Sequence, residues 1–324
     1  VRFIIISVLV NLSVILCAGA QDRESTLQPL ADEPGQLADL GIYIPSTVNT
    51  IRWGSLPNSN SLPIINVPSG SIVIFDTVSH EGILEDQGRN PVDYFAGHGI
   101  SSQGVLNDAR TIASSNIEHD FVSDGPHIVT GPVAIDGAEA GDILKIEVIS
   151  LLPRVPYGVI SNRHGKGSLP GEFPENNGPE IGANAANPGL YNNVSVFTEI
   201  VDIDNKSYAV LPGGNGEEIR FEINPFMGIM GVAANTTDTV NSVPPGEYGG
   251  NLDINELGVG STLYLPVQVS GGLFYAGDPH YAQGDGEVAL TALEAPLRAT
   301  FRLTLLASGD PGIPNRHSTS QPFA

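Results

Sequence analysis

From Leu62 onward the apolar positions fall into short β-branched runs separated by glycine and proline. Ser71-Ile72-Val73-Ile74-Phe75 reads as a buried strand opened by the turn Pro68-Ser69-Gly70. Residues 142–151 set Leu144, Ile146 and Val148 against Ile143, Lys145 and Glu147, the period-two pattern of a half-exposed strand. Residues 261–269, 286–293 and 297–306 read the same way. The helical signal is confined to residues 106–114, with Asn107 or Asp108 near the start, and a second short helix is expected over 255–258. Many short strands with Gly/Pro turns predict a mainly β chain with a β-sandwich or barrel-like core.

The first residues have a different texture. Val1 and Arg2 give a short, positively charged start, and residues 3–16 are almost unbroken apolar sequence. Cys17-Ala18-Gly19-Ala20 then precedes the polar Gln21-Asp22-Arg23-Glu24. A basic start, a short apolar run and an Ala-x-Ala ending predict a signal peptide over 1–20. The run is shorter than the roughly 20 residues that span a bilayer, so a secreted chain with no membrane contact after cleavage is expected. Residues 21–61, rich in Pro, Ser and Asn, are expected as an N-terminal arm, residues 62–308 as the catalytic region and 309–324 as a loose tail. Residues 160–195 are dominated by Asn, Gly, Pro and Glu and predict a long loop, a type usually either functional or disordered.

Charge narrows the partners. The chain of 324 residues carries a formal charge of −22, which repels a phosphate backbone and argues against nucleic-acid binding. The same acidity suits a soluble secreted protein or carboxylates gathered for metal ions. Cys17 is the single cysteine and would leave with the leader, so neither a disulfide nor a thiol nucleophile is expected. No Gly-x-Ser-x-Gly elbow, P-loop or His-Glu-x-x-His motif occurs, and metal-assisted attack by water is the hydrolytic chemistry that the remaining residues suit best. Asn193, Asn205 and Asn235 each begin an Asn-x-Ser/Thr sequon.

Candidate chemistry concentrates between Gly277 and Glu287. Asp278 and His280 stand two residues apart, as do Asp285 and Glu287. On extended backbone such pairs project to one side, and carboxylate with imidazole suits zinc or a similar divalent ion. The alternative is a solvated polar turn, because Asp-Pro and Gly-Asp-Gly are common turn sequences. A second cluster, Ser79-His80-Glu81-Gly82, follows the strand that ends at Phe75-Asp76. A third, Gly249-Gly250-Asn251-Leu252-Asp253, offers close backbone approach and a further carboxylate. A fourth is Asp124-Gly125-Pro126-His127, upstream of Gly137-Ala138-Glu139-Ala140-Gly141-Asp142.

Taken together, several of these segments resemble the successive signatures of the acetamidase/formamidase family. The residues are Asn224-Pro225-Phe226-Met227-Gly228-Ile229-Met230-Gly231-Val232-Ala233, Pro244 through Asp253, and Gly277-Asp278-Pro279-His280 through Glu287. His127 through Gly131-Pro132, with Gly137 to Asp142, is similar to a further stretch of that family. The resemblance spans roughly residues 62–306. It implies a β-rich fold with a sandwich-like part and a smaller α+β portion. It also implies hydrolysis of formamide or acetamide to the acid and ammonia, with zinc or calcium as the associated ion. On that basis His80, Asp253, Asp278 and His280 are expected to hold the metal. Glu287 or Glu139, with Asp285 nearby, is expected to carry protons, and Gly249, Gly250 and Asn251 to meet the substrate and its oxyanion. The expected partner is a small amide; a homo-oligomer, a different C–N substrate and a non-catalytic ion- or sugar-binding protein on the same scaffold all stay open.

Overall fold

The alternation over residues 142–151 becomes one strand of a sheet that covers half of a sandwich. The computed structural model describes residues 37, 39–163, 165–174, 178–311 and 313. The expected leader over 1–20, the first part of the arm, His164, His317 and most of the tail lie outside the described residues. The chain is mainly β, with more than one sheet.

The first sheet has the order β1 (Ile42–Ile44), β5 (Ser71–Asp76), β18 (Leu297–Leu306), β7 (Ile143–Pro153) and β15 (Thr262–Pro266). β1 lies parallel to β5 and the other neighbours are antiparallel. Phe301 pairs with Val73 on one side and Val148 on the other, so one apolar row crosses three strands. Beyond Val148 the register shifts, and the next buried position on β7 is Leu151. An extra residue in one strand moves the side-chain phase to the other face.

The second sheet runs β11 (Glu218–Glu222), β10 (Lys206–Pro212), β9 (Val194–Ile203), β8 (Tyr157–Asn162), β17 (Leu293–Glu294), β16 (Phe274–Ala282), β12 (Phe226–Gly231) and β14 (Gly249–Asn251). β6 (Ile128–Ile135) pairs with β16 and also carries β2 (Ile51–Trp53) and β4 (Ile65–Val67). A small pair joins β3 (Ser55–Leu56) to β13 (Val240–Asn241). The two large sheets meet through Val73, Phe75, Ile146 and Phe301 from one and Val133, Met227, Phe274 and Tyr281 from the other. Phe75, Phe274 and Phe301 lie with ring centroids 5.3–5.9 Å apart, within the range of favourable aromatic pairs.

A second core supports the loops on one side. Its helices are α1 (Pro91–Ala96) and α2 (Asn107–Ala113), which pack Phe95 and Ile112 among Trp53, Ile83, Leu84 and Tyr157. The Asn90 side chain accepts from the backbone N–H of Val92 and Asp93, and Pro91 occupies the first turn, where its missing N–H costs nothing. Buried Arg154 ties this portion to the sandwich. Its Nη1 donates to Asp108 Oδ2 on α2 at 2.6 Å and to the Thr77 carbonyl at 2.9 Å. The residue after β5 is thereby held three positions before His80.

Three expectations change. Residues 42–56 of the expected arm supply β1, β2 and β3, because Ile44, Ile51, Trp53 and Leu56 are buried despite the polar residues around them. The strand expected over 286–293 is paired only at Leu293–Glu294. Gly286, Glu287 and Leu290 take φ values of 79°, 43° and 92°, so the segment turns where alternation suggested extension. Residues 255–258 form a turn closed by Leu257 N–H to the Ile254 carbonyl instead of a helix.

Candidate active site

Strand ends and their loops place seven titratable side chains together. β16 brings Asp278 and His280, the loop after β5 brings His80, and the residue before β6 is His127. Asp253 follows β14, Glu294 ends β17 and Glu287 sits in the turn before it. His280 Nε2 lies 3.1 Å from Asp278 Oδ2 and 3.0 Å from Glu294 Oε1. His80 Nδ1 lies 3.4 Å from Asp278 Oδ1 and 4.0 Å from Glu294 Oε2. His127 Nε2 is 3.7 Å from Asp278 Oδ2, while its Nδ1 is 3.0 Å from Ser242 Oγ.

These side chains form three overlapping donor sets: His80, His127 and Asp278; Asp278, His280 and Glu294; and Asp253, His280 and Glu287. Within each set one ligand atom per residue lies within 4.8 Å of the others. Asp278 and His280 each belong to two sets. Gly228 on β12 leaves the room for this. A Cβ there would come within 2.6 Å of His280 Cε1, 2.7 Å of Asp278 Oδ2 and 2.8 Å of Asp253 Oδ1. The Gly228 carbonyl also accepts the backbone N–H of Leu252 at 2.9 Å and of Asp253 at 3.1 Å, which fixes Asp253 over the cluster.

The residues fit a divalent cation. His80 Nδ1, His280 Nδ1, Asp253 Oδ1, Asp278 Oδ1 and Glu294 Oε2 are all buried without a hydrogen-bond partner. Buried polar atoms normally have one, and exceptions that combine imidazole nitrogen with carboxylate oxygen in one cluster form a metal-type donor set. The protonation equilibria point the same way. Burial pushes Glu287 up to about 9, aided by the charge of Asp253. Asp253 is pushed up to about 7 by burial and by Asp278, and burial also raises Glu294. For His80 burial works downward, but the neighbouring carboxylates of Asp278, Glu81 and Glu294 raise it to about 10. Burial likewise opposes charge on His280, and Glu294 with Asp278 overcomes it. Asp278 is held well below the carboxylate range, against burial, by His127 and His280. His127 alone among the three imidazoles is depressed, to about 4, and burial is the main cause. Glu287, Asp253, Glu294, His80 and His280 thus favour their protonated forms, and a bound cation would compete with those protons.

A cleft of about 230 Å³ opens onto the cluster. Leu84, Phe121, Val243 and Leu290 give it apolar walls, and Lys166 from the long loop stands at its edge. Asn251 lines it, with Oδ1 buried and unpartnered.

Of the residues singled out in the sequence, the structure brings together His80, Asp253, Asp278, His280, Glu287 and Asn251. It separates the others. Glu139 is exposed in the turn at the far end of β6 and accepts from Ser270 Oγ at 3.2 Å. Asp285 is exposed, 3.4 Å from Asn255 Nδ2, and faces a different groove. Gly249 and Gly250 have φ values of 84° and 89°, and the Gly249 N–H donates to the Gly246 carbonyl at 2.9 Å. A Cβ on Gly249 would meet the Met230 carbonyl at 2.5 Å, and one on Gly250 would meet the Tyr248 ring at 2.9 Å and Leu56 at 3.1 Å. Glu294 was missed. Its signal was a lone carboxylate inside the apolar run Ala292-Leu293-Glu294-Ala295-Pro296-Leu297. His127 was visible only as part of an Asp-Gly-Pro-His turn.

Residues 232–310, which include Asp253, Asp278, His280, Glu287 and Glu294, match the model of the Acetamidase/Formamidase family. The likeness to that family's model is carried by this segment. It is 27% identical over 246 residues to a formamidase of Methylophilus methylotrophus, covering 66% of this chain and 58% of that one. Over 199 residues it is 25% identical to an acetamidase of Mycolicibacterium smegmatis, covering 50% and 49%. The chain therefore spans about half the length of the curated relatives it matches. Its fold is similar to that of the acetamidase of Bacillus halodurans, with a TM-score of 0.56 at 22% identity over 82% of this chain and 71% of that one. The segment matched by the acetamidase/formamidase model supplies five of the seven clustered side chains, and the region before it supplies His80 and His127.

Proposed function

We propose that this chain hydrolyses the C–N bond of small linear amides, of the formamide and acetamide type, to a carboxylic acid and ammonia with the help of a divalent metal. The observation that carries this reading is the set of converging, unpartnered donor atoms at the base of a cleft, in a chain similar to formamidases and acetamidases. Asp278 would hold the ion, together with His80 and His127 or with His280 and Glu294, and imidazole among the donors favours zinc over calcium. Such an ion, when bound, polarises an amide carbonyl and acidifies water.

The chain's own residues divide the remaining work. Glu287 lines the cleft beside Asp253 and His280. It takes the proton of the attacking water and returns a proton to the nitrogen, since an amide nitrogen departs only once protonated. Asn251 Oδ1 accepts a substrate N–H and orients the amide. Leu84, Phe121 and Leu290 limit water in the cleft.

The same proposal places the mature chain outside the cell, as a glycoprotein. The leader pattern over 1–20 supports it, as do Asn205 and Asn235, whose side chains are exposed. Asn193 is unsuited to carry a glycan in the folded chain, because its Nδ2 donates to Asp86 Oδ2 at 2.9 Å.

Ammonia release from formamide and acetamide tests the enzyme reading, measured on the purified chain with and without zinc beside a Glu287→Gln, His280→Ala double variant. Release that depends on zinc and disappears in the variant is expected. Equal release after exhaustive chelation would remove the metal from the proposal, and no release under any metal would remove the activity.

A further inference from the structure

His80 meets the donor cluster with one nitrogen and turns the other away. Nδ1 faces Asp278 and Glu294, and Nε2 lies 3.3 Å from Glu81 Oε1. An imidazole that ligates through Nδ1 carries its proton on Nε2, and the acceptor for that proton sets both tautomer and ring orientation. Glu81 is built for that task. Its side chain is 1% exposed. Oε1 accepts from Ser161 Oγ at 2.6 Å and from Arg163 Nη1 at 3.1 Å, and Oε2 accepts from Gln87 Nε2. Its backbone N–H donates to Ser79 Oγ at 3.1 Å.

Arg163 extends the arrangement. Its Nε and Nη2 donate to the two oxygens of Asp86, at 2.6 Å and 3.3 Å, a two-point contact that fixes the guanidinium plane. Asp86 Oδ2 accepts from Asn193 as well. Arg163 and Asn193 are the first and last residues of the connection between β8 and β9, so one carboxylate clamps both feet of the loop that carries Lys166 to the cleft.

We infer that Glu81 is a positioning residue that holds His80 with its proton on Nε2 and Nδ1 free to bind metal, and that Arg163 and Asp86 lock Glu81 while tying the 163–193 connection to it. This rests on the metal-assisted reading above. A loop staple alone would not require a buried carboxylate on His80, because Ser161, Gln87 and Arg163 already satisfy Glu81.

The test is zinc affinity of the full chain, by competition with a chromophoric chelator, for wild type, Glu81→Gln, Glu81→Ala and Asp86→Asn. Thermal unfolding of each metal-free variant serves as the folding control. Loss of such an outer partner typically lowers metal affinity about 10–100-fold, and that is expected for both Glu81 variants. If Glu81→Ala does not fold, Glu81→Gln carries the measurement. Asp86→Asn is expected to cost less affinity but to speed amide hydrogen exchange in the 163–193 connection. ¹⁵N shifts of His80 in the zinc-loaded protein are expected to show Nδ1 metallated and Nε2 protonated. Wild-type affinity in the folded Glu81 variants, or His80 ligating through Nε2, overturns the inference and leaves the metal centre standing. Failure of wild type to bind zinc overturns both.

Discussion

The two ends of β16 are equally deep and chemically opposite. At one end Phe274 is fully buried and packs against Phe75 and Phe301. At the other, Asp278 and His280 are 3% and 0% exposed. Burying an apolar side chain is favourable by itself, by about 1.5–3 kcal/mol. Burying ionised groups costs several kcal/mol per ion before any pairing recovers it, and the cluster around Asp278 keeps unpartnered atoms even after its pairings. Burial alone does not separate core from site in this molecule. The separation is made by chemistry: unpartnered imidazole and carboxylate atoms gather at the His280 end, whereas beside Phe274 the unpartnered buried atom is the Tyr275 hydroxyl.

The comparison breaks most visibly at the apolar end. Phe274→Ala is expected to lower unfolding free energy by about 3–5 kcal/mol, measured by denaturant titration, while leaving zinc affinity unchanged in the folded fraction. A parallel loss of zinc affinity would show that the two ends are not separable. At the polar end the metal-assisted reading expects the missing stabilisation from a bound ion. Zinc at a hundredfold excess over its dissociation constant is expected to add about 2.7 kcal/mol, seen as a higher unfolding midpoint, and an unchanged midpoint would count against a resident cation. Gly228→Ala sharpens the boundary, because its new methyl group presses on His280, Asp278 and Asp253 together. Overpacking of this kind costs about 1–3 kcal/mol, expected mainly as a 10–100-fold weaker zinc affinity. Smallest of all is Glu139→Gln. With Glu139 exposed at the far end of β6, amide turnover is expected to stay within about twofold of wild type, consistent with surface substitutions that change stability by less than about 0.5 kcal/mol. A large loss there would restore Glu139 to the site.

Much of the sandwich was legible in one dimension. β18 has the predicted bounds, β5 and β7 lie within a residue or two of theirs, and α2 sits inside the predicted 106–114. Each follows from a local period, two for a half-buried strand and 3.6 for a helix. The strands at 42–56 were not legible, because their few buried apolar residues are set among polar ones. The segment 286–293 misled for the opposite reason: its apolar alternation is real, yet Val288 is exposed and Leu290 lines the cleft.

Local chemistry was enough to pick out Asp278 and His280, two residues apart on one strand, and the resemblance to the acetamidase/formamidase family added His80, Asp253 and Glu287 as companions. Local chemistry could not rank Glu287 above Glu139, since both lie in Gly-rich turns with similar neighbours. Only the pairing of β6 with β16 decided that, by setting Gly277 opposite Val129 near the cluster and Phe274 opposite Val133 toward the far end. The same is true of Glu294, brought opposite His280 by the β16–β17 register, and of Asp86, which clamps residues 77 and 107 positions away along the chain. Periodicity is a property of neighbours in sequence, whereas a site is a set of distances between strands. The sequence by itself determined which side chains could take part in chemistry; tertiary structure determined which of them meet.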